Sequence, residues 1–389
     1  MKILHTSAFY HPRSGGAEEV VRQLSERLAA RGHDVTVATT SLADRQAHVH
    51  NGVRIAQFDI HGVCGHSALG IRGEKSAFQD LLHIGDWDVI MNYAAQTWPT
   101  DLTCRVLSRL KAKTVLAACG YSGLIGVRPL LYEGYFRRLP HYLRQYSAVV
   151  YHSGVYRDKA FGDAHGIRHF QVIPNGVDSL EFESSAVDFR SAYGIETRRL
   201  LVTIGNHYSN KGHDRVIDAF EQLADPDATL VIVGKPSAPW FRSCHRTCMS
   251  SANRNPRILL LDHAPRSHVV AALLAADLFL FGSHIEAFPL VILEAMASRT
   301  PWIAFPAGNM EELHGGLVVH SSVEMASAAR RLLDDPDAHG QLAEAGYRTQ
   351  RRDYDWESIV DRYEDLYESL VAGEFAPDAQ SANLVEARP

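Results

Sequence analysis

Two textures take turns along the chain. Short apolar runs ("KILHTS", "DVTVAT", "VRIAQF", "DVIMNY", "KTVLAAC" and "SAVVYHS") have the unbroken character of strands covered on both faces. Between the first two lies "AEEVVRQLSERLAARGH", with Val20, Val21, Leu24 and Leu28 at helical spacing and Gly32 as its stop. A strand–helix–strand opening favours a parallel sheet with helices on both faces. After "VIPNGVD" (172–178) the alternation starts afresh. "RLLVTIG", "ATLVIVG", "RILLLD", "DLFLFGS", "PWIAF" and the short "GLVVH" read as strands, interleaved with the helices "DRVIDAFEQL", "SHVVAALLAA" and "PLVILEAMA". The predicted class is α/β, with doubly wound domains over 1–174 and 175–352. They are expected to face each other across a cleft at the carboxyl ends of their strands, where open α/β sheets bind ligands. "DYDWESIVDRYEDLYESLV" carries its own apolar stripe at Trp356, Ile359, Val360, Tyr363 and Leu366, which predicts a separate helix over 353–372. From 373 to 389, polarity without periodicity predicts a disordered tail.

Composition narrows the classes. With 46% apolar and 22% charged residues in 389, each half can bury an ordinary core. A net charge of −6 and a pI near 6.4 give no general attraction to nucleic acid or anionic lipid, so no nucleic-acid partner is expected and phosphate binding has to be local. Five cysteines (Cys64, Cys104, Cys119, Cys244 and Cys248), odd in number and mostly isolated, point to a reducing compartment. "CHRTC" (244–248) lacks the spacing of a zinc knuckle and no second Cys/His pair stands nearby, so no metal is expected. The histidines are scattered, without an HExxH pattern. "MKILHTSAFYH" is too short an apolar stretch for a signal peptide, and no window approaches the roughly 18 apolar residues of a membrane span. The expected protein is soluble and cytoplasmic.

The chemistry concentrates in "GSHIEAFPLVILEAMASRTPWIAF" (282–305), where Glu286 and Glu294 sit in a stretch that otherwise reads as core. Burying a carboxylate without a partner costs several kcal/mol. Pro289 suits the first position of a helix, which would leave free amides near Phe288, Leu290 and Val291. Helix N-termini bind phosphate through such amides and the positive end of the dipole. Glu294 lies five residues on, or about 7.5 Å at 1.5 Å per residue. That is the reach from a diphosphate to the ribose hydroxyls of one nucleotide, which a carboxylate accepts from in pairs. Taken alone, the two acids fit a cap acid and a solvated helix position equally well.

They are not alone. "EAFPLVILEAMA", a Glu, seven residues and a second Glu followed by Ala-Met-Ala, resembles the nucleotide-sugar site of the retaining glycosyltransferases of family 4. "SGGAEEVVRQLSERLAARGHDVTV" is similar to that family's first loop and helix, "VIPNGVDSLEF" to its interdomain crossing, and "GNHYSNKGHDRVIDAF" to its phosphate loop. "DYDWESIVDRYEDLY" resembles its closing helix, which in the family returns to the first domain. The resemblance covers nearly the whole chain and implies the GT-B fold, two Rossmann-like domains with the acceptor on the first and the nucleotide sugar on the second. It implies that Gly15 and Gly16 bring loop backbone against the donor phosphates, where a Cβ would clash. It assigns the leaving diphosphate to Lys211 and the loop of Gly205 and Asn206, the ribose to Glu294 and the donor sugar to Glu286. The distal phosphate goes to the amides from Phe288 to Val291. Lys211 and Glu286 are the catalytic candidates.

The implied reaction moves a sugar, with retention, from a nucleotide-diphosphate sugar to a glycan or lipid-linked acceptor, with no cofactor. Such transfers are described as front-face displacements in which the leaving phosphate takes the acceptor's proton. The enzyme positions both substrates and stabilises charge on the leaving group. No metal is needed where lysine and helix amides supply that charge, and the two "DPD" segments (225–227 and 335–337) read as turns. Two positions depart from the pattern. Asn206 stands where the family usually has arginine, with His207 or His213 as substitutes if protonated. Cys119, in "AACGYSG" with Tyr121, stands where many members place a histidine beside acceptor and donor sugar; its alternative is a buried structural cysteine. In "YEGYFRRLPHYLRQY", Tyr132, Tyr135, Phe136 and Leu139 form a helical stripe. It fits either packing on a core or, with Arg137, Arg138 and Arg144, peripheral contact at the inner face of an anionic membrane. Pro140 predicts two short helices there. The rival readings are a nucleotide-sugar epimerase, a phosphorylase, and a sugar-nucleotide-binding protein with weak or no turnover.

Overall fold

The computed structural model describes residues 1–13, 15–62, 70–125, 128–236 and 243–378. Contacts divide the chain into two compact units, Met1–Asn175 together with the chain from Trp356 onward, and Gly176–Asp355. Residues 353–355, expected to open the closing helix, belong to the second unit, and the helix itself is Trp356–Ala372.

The first unit is built on an eight-stranded sheet. In spatial order its strands are Phe170–Val172, Ala148–Tyr151, Lys113–Ala117, Val89–Tyr93, Lys2–Thr6, Asp34–Thr40, Val53–Phe58 and Val49–His50. Only the last pairs antiparallel. Helix Gly16–Ala30 follows the first strand and buries Val20, Val21, Leu24 and Leu28, the stripe read from the sequence. A small antiparallel pair, Ile60–Gly62 with Ile71–Gly73, has no counterpart in the sequence reading; at three residues a strand is too short to show a period.

Arg128–Leu143 is a single helix with Pro140 inside it, where two short ones were expected. Phe136, Leu139 and Leu143, on either side of the proline, are buried in one apolar cluster. Burying three such side chains is worth roughly 1.5–3 kcal/mol each, against about 3 kcal/mol for an internal proline. Tyr132 and Tyr135 pack against the same cluster, so the aromatic stripe faces the core rather than a membrane. Among the described residues no helix is long and apolar enough to cross a membrane.

The closing helix Trp356–Ala372 packs in the first unit. It buries Trp356, Ile359, Val360, Tyr363, Leu366 and Tyr367. Arg31 pairs with Glu357 (2.9 Å), Asp361 (2.7 Å) and Glu364 (2.6 Å) on its outer side. At the centre, His5 lies between Ser25 Oγ (2.8 Å) and Tyr367 Oη (3.1 Å). The first residues of the segment expected to be disordered are held. Asp378 N donates to Phe170 O (3.1 Å) and its carboxylate accepts from Val172 N (2.9 Å), which covers an open sheet edge. The rest of that tail, 379–389, lies outside the described residues.

The second unit has six parallel strands in the order Ile258–Leu261, Ala228–Val233, Arg199–Ile204, Leu278–Phe281, Trp302–Ala304 and Gly316–Val318. Leu200, Val202, Val231 and Val233 belong to one buried cluster, and Leu201, Leu230 and Ile232 to another. Alternate residues of a strand point to opposite faces, so this sheet is covered on both. From Arg199–Ile204 the chain builds outward in one direction, then returns to place Leu278–Phe281 on its other side. The gap between those two strands is the topological switch point, the place in an open α/β sheet where ligands bind.

Candidate functional site

The loops leaving the two strands at the switch point are Gly205–Gly212 and Gly282–Pro289, and they are stitched together. His284 N donates to Asn210 O (2.8 Å), and Ser283 Oγ donates to the same carbonyl (3.0 Å). Gly212 has φ +61° and would drive a Cβ into the carbonyl of Gly282, as Gly282 would into that of Gly212. Glycine at both positions lets the two backbones meet.

Across this seam Lys211 Nζ donates to Glu286 Oε1 at 2.6 Å, and Ser283 Oγ donates to the same oxygen at 2.7 Å. The helix that follows is Leu290–Ala297, with Pro289 at its N-cap, one position before the place expected for it. Its first bond runs from Ile292 N to Pro289 O (3.2 Å). The amides of Leu290 and Val291 come before it, in the turn that a helix leaves without intrahelical acceptors. Phe288 is buried against the ring of Tyr354, with centroids 5.9 Å apart. Glu294 is 9% exposed and accepts from Arg266 Nη1 at 2.7 Å. Arg266 also holds Glu181 through Nε (2.8 Å) and Nη2 (2.5 Å). Burial works against the guanidinium's charge, and the two carboxylates more than offset it, so its pKa is raised. Both acids of the opening stretch therefore have cationic partners. Neither partnership was legible, because Arg266 and Lys211 lie far from these acids in sequence.

Three expectations for the phosphate loop change. Asn206 Oδ1 accepts from Lys235 N (3.1 Å), so its side chain shapes the loop. His207 is fully buried, and burial, followed by the charges of His207 and Lys211, lowers the His213 pKa to about 3. His213 is neutral at pH 7, and neither ring replaces an arginine at a phosphate. The third change concerns "CHRTC". No Cys/His pair neighbours it in sequence, yet the fold brings His207 and His213 to it, with His207 Nδ1 3.9 Å from Cys244 Sγ and His213 Nδ1 3.7 Å from Cys248 Sγ. Of the "DPD" turns, Asp225 pairs with Arg199 (2.6 Å) and Asp335 caps helix Pro336–Asp353.

In the first unit Gly15 precedes helix Gly16–Ala30 in extended conformation, and a Cβ on Gly16 would meet open space. Cys119, Gly120 and Tyr121 follow their strand with three successive positive φ angles (54°, 92° and 39°), and φ is also positive at Ala94 (68°) and Gln96 (61°) in the loop that leaves the neighbouring strand Val89–Tyr93. Left-handed non-glycine residues cost about 1–3 kcal/mol each and gather at functional sites. Their side chains gave no sequence signal. Asp158 accepts from Gly120 N (2.9 Å) and holds this turn; burial raises its pKa to about 6. Burial likewise raises the Cys119 thiol to about 11. The Tyr121 side chain is 1% exposed between Phe136 and Phe161, which withdraws it from any acceptor surface. Asn309, fully buried with neither end of its amide hydrogen-bonded, had no sequence signal either; it follows Gly308, which itself lies against Glu286 and Ala287.

These loops have recognised counterparts. Residues 14–179 match the family described as Glycosyltransferase Family 4, and residues 198–335 match Glycosyl transferases group 1. The glycogen synthase of Mycobacterium tuberculosis is 27% identical over the full length of both chains. The N-acetyl-alpha-D-glucosaminyl L-malate synthase of Bacillus anthracis is 25% identical, over 93% of this chain and 96% of its own. Among solved structures, sucrose-phosphate synthase from Thermosynechococcus elongatus superposes with a TM-score of 0.78 at 20% identity, covering 96% of this chain and 99% of that one. Anabaena HepE in complex with UDP and glucose gives 0.76 at 20% identity, with coverages of 95% and 100%. The fold is GT-B, and the chain belongs to the group 1 glycosyltransferases.

Proposed function

We propose that this protein is a retaining glycosyltransferase that moves a sugar from a nucleotide-diphosphate sugar to a glycan or lipid-linked acceptor. The observation that carries the reading is the Lys211–Glu286 pair at the switch point, beside the open first turn of helix Leu290–Ala297. An ammonium group and unbonded helix amides at one crevice form an anion site. In the proposed complex Lys211 and those amides hold the diphosphate without a metal bridging its phosphates. Glu294, oriented by Arg266, accepts from the ribose, and Glu286 meets the donor sugar. Gly205 and Asn206 bring loop backbone to the same diphosphate.

In the transfer, the bond between the anomeric carbon and the phosphate oxygen breaks with its electron pair leaving to the phosphate. The acceptor oxygen bonds to the same face of that carbon, and its proton passes to the departing phosphate oxygen. Lys211 offsets the charge that builds there, an effect worth several kcal/mol in a site closed to water. UDP sugars are the first donors to test, since HepE is solved with UDP and glucose. The test incubates the full chain with UDP-, GDP- and ADP-sugars and a panel of glycan and lipid-linked acceptors, and reads the anomer formed by NMR. An α product from an α-linked donor supports the reading. Inverted product overturns retention, and tight nucleotide binding without product on any acceptor replaces the transferase with a binding protein.

A further inference from the structure

We propose that His207, His213, Cys244 and Cys248 hold one structural zinc ion beneath the loop that carries Lys211. Their four ligand atoms all lie within 4.8 Å of one another. Zinc bond lengths of about 2.3 Å to sulfur and 2.0–2.1 Å to nitrogen put the edges of a tetrahedral site near 3.3–3.8 Å. The two measured sulfur–nitrogen separations are 3.9 and 3.7 Å. Closing the remaining edges from at most 4.8 Å takes no more than about 1–1.5 Å, a shift that side-chain rotation supplies.

The helix Ser243–Arg254 sets the sulfurs. Cys244 and Cys248 are four residues apart and share a face. Cβ atoms at that spacing stand about 5–6 Å apart, whereas a disulfide needs about 3.5–4.5 Å. Both thiols are free. The pair is thus spaced to share a metal and not to cross-link. The two imidazole planes cross at 76°, with ring centroids 4.9 Å apart. Three of the four side chains, His207, His213 and Cys248, are at most 1% exposed. Two thiolates balance the ion's charge, and their two protons leave to solvent as the metal binds. With four protein ligands and no open position, such a site is structural.

A second observation comes from the far edge of His207. Its Nε2 is buried without a hydrogen-bond partner and faces Asp262 Oδ1 at 3.7 Å. Asp262 is in turn held by His245 Nε2 at 2.9 Å. A carboxylate behind the second nitrogen is the usual support of a metal-bound histidine. His207, His245 and Asp262 also form a set of their own, using the opposite nitrogen of His207. That set offers three ligands, and two of them are already bonded to each other.

His207 and His213 flank the segment 208–212, and a Cβ on Gly205 would meet His213 Nε2. The ion would tie both ends of this segment to helix Ser243–Arg254, and so fix where Lys211 stands; this consequence, unlike the metal itself, rests on the proposed donor site.

The test uses the full chain without a histidine tag and never reads transfer, so its failure and that of the transferase reading are separate. Elemental analysis is expected to find one zinc per chain. Replacement by Co2+ is expected to give tetrahedral d–d bands with a thiolate-to-cobalt charge-transfer band. Cys244→Ser and Cys248→Ser each weaken that band, and Asp262→Asn keeps it while lowering affinity about 10–100-fold. Zinc at background with no thiolate band in the folded wild-type chain overturns the proposal. So does a cobalt spectrum that survives both cysteine replacements and disappears in Asp262→Asn, which moves the ion to the other set.

Discussion

Lys211 and Glu286, 75 residues apart in sequence, meet at 2.6 Å from loops that leave two adjacent strands. The contact joins the cation proposed to hold the diphosphate to the acid proposed to meet the donor sugar. Lys211→Ala is expected to cut transfer by about 10²–10³-fold, on the scale of losing one preorganised donor from an oxyanion hole. The fold should survive, because the ammonium group is partly exposed. Rates on a saturating donor, with far-ultraviolet circular dichroism as the control, decide it; wild-type rates would assign the neutralisation to another cation.

Glu294→Ala removes the carboxylate proposed to hold the ribose, and nucleotide affinity should fall by about 1–3 kcal/mol. Arg266 keeps Glu181 in that variant and is not stranded, so melting should change little. Calorimetric titration with the nucleoside diphosphate measures the loss. An unchanged affinity would leave Glu294 as a structural partner of Arg266 and nothing more.

Much of this was legible in the chain because a strand covered on both faces carries an unbroken apolar run, as in "LVIV" and "LLV". The stretch from Glu286 to Glu294 was legible because a local spacing along one helix carries its geometry. What escaped lies across loops. Arg266 reaches Glu294 from 28 residues earlier, and His207 reaches Cys244 across 37. The backbone of Cys119 and Tyr121, on either side of Gly120, twists left-handed in residue types with no intrinsic taste for it, held by a buried Asp158. The single helix through Pro140 shows burial overriding a local breaker.

Acid should unfold the first unit through two histidines. Burial lowers His5 to about 3 and His152 to about 4, where His152 Nδ1 against Ile173 O only partly offsets it. An unfolded histidine titrates near 6.5. Below that pH the unfolded chain takes up protons that the folded chain refuses. Stability is therefore complete above about 6.5 and falls as the pH drops toward 4 and then 3, by up to ~1.4 kcal/mol per pH unit for each histidine. Asp158 works the other way: its folded pKa, raised to about 6, adds stability below its unfolded value near 3.8 and loses it as the pH rises through 6. Urea titrations from pH 4 to 8 should show the net slope, and His5→Gln should flatten it. An unaltered slope would mean that His5 is protonated in the fold.

Gly282 and Gly16 separate the two jobs a glycine can do here. A Cβ at Gly282 would overlap the carbonyl of Gly212, so Gly282→Ala has to pry apart the seam that carries Lys211 and Glu286. Overpacking of this kind costs about 1–3 kcal/mol, and stability and transfer should fall together. A Cβ at Gly16 would meet nothing, so Gly16→Ala should melt like the wild type. If a donor phosphate lies against that backbone, the added methyl group should raise the donor KM with the melting temperature unmoved. Paired melting curves and donor titrations of the two variants check this. A Gly16→Ala chain that binds donor as the wild type does would take that loop out of the site, whereas a Gly282→Ala chain that melts normally would mean that the two loops can part without loss.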